Sequence, residues 1–310
     1  MRSLPFVVII GLLFTLGCEK DNPRDTSGND IDDVPEKIML SHSYINEAGD
    51  KYELNFFGFE RYMVLLRQGT SFQDNTIYGD LLFQSHHSND VVDVYNLSTR
   101  KFEYSIESSP EETMHNNTVD FGPYKFDDDD EFPILYMSGR GVTHHTNAFR
   151  IVDTDHGKEL KKIQKINFRG ERWTTTSIDR ESHIMCVCHE EARDTLYSMI
   201  RIPDYSDNEL EYSINEGTRI DSIRISLKQI GQGRAINKGI MYHLSGMAGD
   251  GRLNIINLAT HETYCNIPLE RMGITAEPEG LCFWDDNIMI TDSDGNVFKG
   301  RVEINKLGNS

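Results

Sequence analysis

A short apolar run, bounded by turn-forming residues, recurs along this chain at a spacing of about 50 residues. Each run is the length of one β-strand, and Gly, Pro, Asn or Asp lies close to each of them. The pattern therefore predicts repeated β units. The runs are Gly79–Gln84, Phe132–Met137, His183–Cys188, Gly239–Leu244 and Ile288–Thr291.

Each run lies inside a longer pattern of strands. A segment that starts polar and turns apolar precedes it, a third alternating strand follows it, and at least three units show a fourth strand. Such meanders cannot bury their faces alone, so they must pack around an axis. The pattern predicts an all-β fold, a β-propeller of four-stranded antiparallel sheets with five blades. The polar-to-apolar segments are Ser71–Asp74, His115–Asp120, Thr174–Asp179, Gln232–Asn237 and Pro278–Phe283.

The last unit shows three strands before the chain ends, and a propeller can complete such a unit with a strand from the other end of the chain. Two segments fit that role, Lys37–Ile45 and Arg61–Leu66, and the pattern does not choose between them. A sixth blade is the alternative, if Tyr44–Arg67 forms a unit of its own. A β-sandwich is the competing architecture, and the long regular period disfavours it.

The N-terminal residues have the composition of an export signal. One positive charge precedes an apolar stretch, Leu4–Leu16, that is too short to span a bilayer. The following Gly17-Cys18 resembles a bacterial lipobox, which implies a signal peptide over 1–17 and acylation of Cys18, with palmitate among the acyl chains. Residues 18–36 are rich in Asp, Asn and Pro and predict a disordered acidic tether, which leaves 37–310 as a single propeller domain.

Acidic side chains predominate. The chain has 31 Lys and Arg against 50 Asp and Glu, for a net charge of -19. Nucleic acids and anionic lipid surfaces attract basic proteins, so neither is an expected partner. The run Asp127–Glu131 predicts a solvated loop. The cysteines other than Cys18 lie in apolar runs and predict buried thiols, with a Cys265–Cys282 pairing left open.

In a propeller, the first strand of each blade lines the central channel, so the polar starts of these strands meet at one mouth. Amides, carboxylates, one His and one Arg suit a polar ligand such as a sugar or a phosphate ester. A water-filled channel that binds nothing is the alternative. The candidate ligand-binding residues are Gln73, His115, Asn117, Gln232, Arg234, Glu277 and Glu279, with Asp74, Thr174 and Thr176 beside them.

Glu277-Pro278-Glu279-Gly280-Leu281 is the most distinctive short motif. It resembles the Glu-Gly motif of lactonase-like and phytase-like propeller hydrolases, and that resemblance implies that Glu279 ligates a divalent metal. Glu279 and Asp74 are the catalytic candidates for a hydrolase. Asp292 and Asp294 match the start of a calcium loop, although a hairpin turn explains the same residues, so no cofactor is assigned and calcium is the alternative.

With its lipobox, acidic tether and repeats, the chain resembles the β-propeller surface lipoproteins of Gram-negative bacteria. That resemblance implies an outer-membrane lipoprotein, held by its lipid anchor and facing the cell surface or the periplasm. It also implies a propeller that binds a polar ligand, a glycan, at its channel mouth. Two alternatives stay open: a metal-assisted hydrolase of a glycan or phosphoester, and a scaffold for a protein partner.

Overall fold

The computed structural model describes residues 38–66, 71–87, 91–107, 116–139, 145–168, 174–191, 194–205, 209–214, 218–227 and 229–308. The predicted signal peptide, Cys18 and the tether lie outside these ranges. In the part of the chain that is described, the structure is all-β, apart from one 3₁₀ helix at Leu269–Met272. No helix among the described residues is long and apolar enough to cross a membrane.

The strands follow the predicted segments closely, because alternation of apolar residues and turn chemistry set their bounds. They are β1 Ile38–Ile45, β2 Lys51–Val64, β3 Phe72–Tyr78, β4 Leu81–His86, β5 Val91–Asn96, β6 Lys101–Glu107, β7 Asn116–Phe121, β8 Leu135–Gly139, β9 His145–Thr154, β10 Gly157–Phe168, β11 Thr174–Asp179, β12 Ile184–Glu191, β13 Asp194–Arg201, β14 Glu209–Tyr212, β15 Arg219–Ile225, β16 Gly231–Asn237, β17 Ile240–Ser245, β18 Arg252–Asn257, β19 Glu262–Pro268, β20 Pro278–Trp284, β21 Asn287–Asp292 and β22 Asn296–Leu307.

Consecutive strands form antiparallel meanders. The strand orders are β3-β4-β5-β6, β7-β8-β9-β10, β11-β12-β13-β15 and β16-β17-β18-β19. The outer strands β6 and β10 of the first two meanders also pair in parallel through Ile106 and Glu107, which joins them into one sheet. Strand β14 adds to β10 in parallel.

Both segments proposed to complete the last unit take part in it. Strand β2, which contains Arg61–Val64, pairs antiparallel with β22, and β1 pairs with the far side of β2. The resulting sheet has the order β1-β2-β22-β21-β20. The described residues near Tyr44 therefore belong to the last sheet.

The first strands of the meanders contact one another in the order β3, β7, β11, β16, β20 and back to β3. Their neighbours pack against each other through buried clusters, such as the one that joins Phe56, Leu244 and Ile290. This arrangement is propeller-like, with the first strands in a ring around a central axis.

Two smaller expectations have definite outcomes. Cys186, Cys188, Cys265 and Cys282 are buried free thiols, so the Cys265–Cys282 pairing is absent among the described residues. The loop Asp127–Glu131 is not fully solvated, because Asp130 is buried and its Oδ1 lies 2.6 Å from Nη2 of Arg150. That pair replaces water around the Asp130 carboxylate.

His86 makes a second buried polar contact. It is buried on β4, and its Nε2 lies 2.9 Å from Oδ2 of Asp93 on the neighbouring strand. Oδ1 of the same carboxylate accepts a hydrogen bond from the Ser105 hydroxyl at 2.6 Å. A buried His requires such a partner, and the sequence pattern does not indicate which strand supplies it.

Candidate functional site

The starts of β3, β16 and β20 bring together four of the predicted ligand-binding side chains, Gln73, Gln232, Glu277 and Glu279, which we call the channel mouth. Gln73 donates from Nε2 to Oε2 of Glu279 at 3.4 Å. Gln232 donates from Nε2 to Oε1 of Glu277 at 2.8 Å. In each contact the amide lies on one first strand, and the carboxyl group lies on β20 or, for Glu277, directly before it. The predicted convergence is therefore confirmed for these four residues.

Glu279 has the most perturbed environment of the four. It is only 8% exposed. Burial raises the pKa of its carboxyl group to about 8, and the negative charges of Glu277, Asp74 and Asp292 add to that rise. At neutral pH the protonated form of Glu279 therefore predominates, and it carries a hydroxyl donor as well as a carbonyl acceptor.

Asp74 is more deeply buried than Glu279, and backbone amides hold its carboxyl group in place. Its Oδ1 accepts from the Leu281 amide at 3.2 Å and its Oδ2 from the Val119 amide at 3.3 Å, so it links β3 to β20 and to β7. Burial raises its pKa well above the ordinary value, although these amide hydrogen bonds oppose the rise. The geometry gives Asp74 a role in joining the first strands.

Gly233 makes possible the close approach of β16 to β20. A Cβ added to Gly233 on β16 would lie 2.4 Å from the carbonyl oxygen of Glu279 and 2.8 Å from Oδ1 of Asp74. Real side chains do not approach backbone so closely. Gly233 thus allows β16 and β20 to bring Gln232 and Glu279 to the same mouth.

Arg234 is buried below the mouth. Its Nη1 donates to the Thr175 hydroxyl at 2.6 Å, and its Nη2 lies 3.4 Å from the Gln232 carbonyl oxygen. Thr176 is also buried, in a hydroxyl cluster with Ser138 and Thr146. These groups support the wall of the channel.

The structure does not describe every predicted residue of the mouth. Asn117 lies on β7 and Thr174 begins β11, but their side chains are outside the described part. His115 itself lies outside the described residues.

Asp292 and Asp294 form a hairpin turn between β21 and β22. Oδ1 of Asp292 accepts the amides of Asp294 at 3.0 Å and Asn296 at 2.9 Å, and Gly295 takes a positive φ of 79°. Burial raises the pKa of Asp292, while the hydrogen bonds from Asn296 oppose that rise. Within the described ranges, no group of three or more His, Cys, Asp or Glu side chains has the arrangement of a metal site.

A cavity of about 200 Å³ lies at the opposite end of the first strands. Asp120, Arg180 and Lys238 line this cavity, together with Arg234. The sequence assigned no role to the first three. Arg180 follows β11 and reaches two other first strands, since it donates to the carbonyl oxygens of Phe121 and Ile77, each at 3.0 Å. The only sequence signal for this end was that Asp120, Asp179 and Asn237 are polar residues closing apolar strands.

Arg180 is also paired with a carboxylate. Its Nη2 donates to Oδ1 of Asp120 at 3.0 Å and to the Thr76 hydroxyl at 2.9 Å. Oδ2 of Asp120 accepts the Ile178 amide at 2.9 Å. One cation and one carboxylate therefore join β3, β7 and β11 at this end, which we call the Arg180 end.

No protein-family model and no curated protein matches the sequence. Among solved structures, the chain is similar to the glutaminyl cyclase of Myxococcus xanthus, at 9% identity over 86% of this chain and 98% of that chain, with a TM-score of 0.48. It is similar to the Kuenenia stuttgartiensis hydrazine synthase, at 11% identity over 86% of this chain and 81% of that one, with a TM-score of 0.38. It is also similar to the Cps50 (Swd1) β-propeller domain of Myceliophteria thermophila, at 13% identity over 73% and 64% of the two chains, with a TM-score of 0.36. These low values say nothing about a ligand or a reaction.

Proposed function

We propose that this chain is a lipid-anchored, five-bladed β-propeller that binds a neutral polar ligand, a glycan, at the channel mouth. The pairing of β1 and β2 with the last sheet supports five blades over six, because it leaves no strands for a sixth unit among the described residues. The observation that carries the ligand assignment is the buried carboxyl group of Glu279, with its pKa of about 8.

A sugar hydroxyl both donates and accepts hydrogen bonds, so a site for it needs both kinds of partner. Protonated Glu279 offers both, and the amide oxygens of Gln73 and Gln232 are further acceptors. The Nε2 groups of these two glutamines already donate within the protein, to Phe72 and Glu279 and to Gly246 and Glu277. The net charge of -19 further disfavours a polyanionic ligand such as a phosphorylated or sulfated glycan. The site therefore fits a neutral glycan better than a phosphoester.

The cellular address in this proposal rests on the sequence. The lipobox at Cys18 and the acidic tether over residues 18–36 support an outer-membrane lipoprotein that faces the cell surface or the periplasm. Mass spectrometry of the membrane fraction tests the anchor. We expect an acylated N-terminus at Cys18, and substitution of Cys18 by Ser should release the protein from the membrane.

Glycan-array binding by the purified protein, followed by calorimetric titration with the best neutral oligosaccharide, tests the ligand assignment. Glu279→Ala removes both the donor and the acceptor of the carboxyl group and should raise Kd about tenfold or more. Glu47→Ala, at an exposed glutamate in the turn after β1, should leave Kd unchanged. Binding only to anionic glycans, or an unchanged Kd in Glu279→Ala, would contradict the assignment.

A hydrolase is the second candidate, because a carboxyl group that is protonated at neutral pH can act as a general acid. Asp74 is less suited to act beside it, since two backbone amides already occupy its carboxylate. Incubation of the bound glycan with the protein separates the two functions. An enzyme would release products, Glu279→Gln would abolish that release while leaving binding intact, and inhibition by EDTA that calcium reverses would support the metal-assisted form.

A further inference from the structure

Strand β1 forms the outer edge of the last sheet. That sheet has the order β1-β2-β22-β21-β20, one strand more than the meanders on either side of it, β16 to β19 and β3 to β6. β1 therefore extends beyond the outer strands of its neighbours. Among the described strands β1 pairs with β2 alone, which leaves the backbone N–H and C=O groups of its other edge for a further strand.

This edge lacks the charged residues that keep sheet edges apart. The strand Ile38–Ile45 reads Ile-Met-Leu-Ser-His-Ser-Tyr-Ile and contains no Lys, Arg, Asp, Glu or Pro. The outer strands β6, β14, β15 and β19 each contain at least one of these charged residues. Charged side chains on an edge strand oppose pairing with another chain. In a chain with a net charge of -19, β1 is thus a neutral edge.

The contacts of β1 within its own chain hold this edge in place. On one face, the rings of Tyr44 and of Tyr264 on β19 have centroids 5.4 Å apart, and Leu40 packs against the same buried cluster. On the other face, the Ser41 hydroxyl donates to Oδ1 of Asn55 on β2 at 2.7 Å. Because the strand is already ordered, little conformational entropy is lost when a partner strand pairs with it.

The residue types of β1 are symmetric about His42. A serine stands on either side of it, then a partly buried apolar residue, then an exposed apolar residue. These pairs are Ser41 and Ser43, Leu40 and Tyr44, and Met39 and Ile45. The pattern therefore reads the same in both directions along the strand.

This symmetry suits antiparallel pairing of two identical strands. With His42 opposite His42, Ser41 of one copy meets Ser43 of the other, and Leu40 meets Tyr44. Residues directly opposite each other in an antiparallel pair lie on the same face, so polar side chains contact polar ones and apolar side chains contact apolar ones. The register of β1 with β2 shifts between Ile38 and Leu40, so the regular part of this pairing begins at Leu40.

From these observations we infer that β1 is a docking edge for a second copy of this chain. The two β1 strands pair antiparallel about a two-fold axis at His42 and join the last sheets of both copies into one continuous sheet. The chain's own residues 18–36 suit this edge less well, because they are rich in Asp, Asn and Pro, which are depleted in strands. The dimer does not depend on glycan binding at the channel mouth.

Sedimentation equilibrium of the purified protein at several concentrations tests the inference. This short edge gives a smaller contact than a standard interface, so we expect a monomer–dimer equilibrium with a Kd on the order of 10 µM. His42→Glu places two carboxylates opposite each other at the axis and should raise that Kd about tenfold or more. His42→Gln, the matched control, keeps an uncharged polar side chain and should leave Kd nearly unchanged. A protein that stays monomeric, or a dimer with the same Kd in His42→Glu, would overturn the inference.

Disulfide cross-linking tests the register, and it does so even if His42→Glu fails to fold. In the proposed pair the two side chains at position 42 lie directly opposite each other, with Cβ atoms about 4.5–5.5 Å apart, near the span of a disulfide. His42→Cys should therefore form a covalent dimer under mild oxidation. Ser43→Cys should cross-link far less, because its two copies lie diagonally apart, and the wild type corrects for the native cysteines. Equal cross-linking of the two variants, or none in His42→Cys, would overturn the proposed pairing.

Discussion

Nε2 of Gln73 lies 3.4 Å from Oε2 of Glu279, although 206 positions separate the two residues in the chain. The contact joins the first strand of the first meander to the first strand of the last. It therefore depends on closure of the ring of sheets, and it places an amide beside the carboxyl group with the raised pKa.

The pH dependence of stability tests the environment of Glu279. Its folded-state pKa of about 8 lies above the ordinary value of 4.5, so the folded protein holds a proton that the unfolded chain releases. This contribution to stability is fully present below about pH 4.5 and is lost as pH rises through about 8. Relative to Glu279→Gln, the wild-type protein should lose a few kcal/mol of unfolding free energy between pH 5 and pH 9.

Urea unfolding at several pH values measures this difference. Glu47→Gln, at an exposed position, should follow the wild-type curve across the whole range. Parallel curves for the wild type and Glu279→Gln would mean that Glu279 is solvated in the folded protein.

Substitution of Gly233 tests the close approach of β16 to β20. Gly233→Ala would place a methyl group 2.4 Å from the Glu279 carbonyl oxygen and 2.7 Å from the Cα of Gly280, so the two strands must separate. We expect a loss of about 1–3 kcal/mol in stability, with weaker ligand binding at the mouth. Gly308→Ala is the matched control, because nothing lies within 4 Å of its added Cβ. Equal stability of the two variants would contradict the packing described here.

Arg180 should contribute to stability as a link between three first strands. Arg180→Ala removes bonds to Ile77, Phe121 and Asp120 and leaves the Asp120 carboxylate without its cation. Because the arginine side chain is 38% exposed, we expect a loss of about 1–3 kcal/mol, less than for a fully buried pair. Arg180→Lys should recover little of it, since one ammonium group cannot reproduce the planar set of donors.

Chemical denaturation followed by tryptophan fluorescence measures the effect. Arg271→Ala, at an exposed arginine in the 3₁₀ helix, serves as the control and should change stability by less than about 0.5 kcal/mol. A similar small change in Arg180→Ala would show that the first strands hold together without this link.

Because β2 extends the last sheet, we expect a large loss of stability when the Phe56 side chain is removed. Phe56 is fully buried and lies opposite Val302 of β22, so Phe56→Ala leaves a cavity in the last sheet's core and should cost about 3–5 kcal/mol. Phe102 on β6 is 44% exposed, and Phe102→Ala should cost much less. Equal costs in thermal unfolding would contradict the pairing of β2 with β22.

The sequence predicted most of the strands, because alternation and turn residues are local properties. It also predicted that Gln73, Gln232, Glu277 and Glu279 converge, since that follows from the repeat alone. It did not predict the Arg180 end: Arg180 lies in a turn after β11, and its partners Ile77 and Phe121 come from distant parts of the chain. The sequence did not predict the raised pKa of Glu279 either, because that rise comes from burial by other strands.

The most direct test of glycan binding at the channel mouth is calorimetric measurement of Kd against pH for the wild type and Glu279→Gln, with the best neutral oligosaccharide from the array. Deprotonation of Glu279 removes its hydroxyl donor, whereas glutamine keeps a donor and an acceptor at every pH. We predict similar affinities near pH 6, a wild-type affinity that falls as pH rises through about 8, and a constant affinity for Glu279→Gln. Wild-type binding that is independent of pH between 6 and 9 would contradict a ligand held by the protonated Glu279.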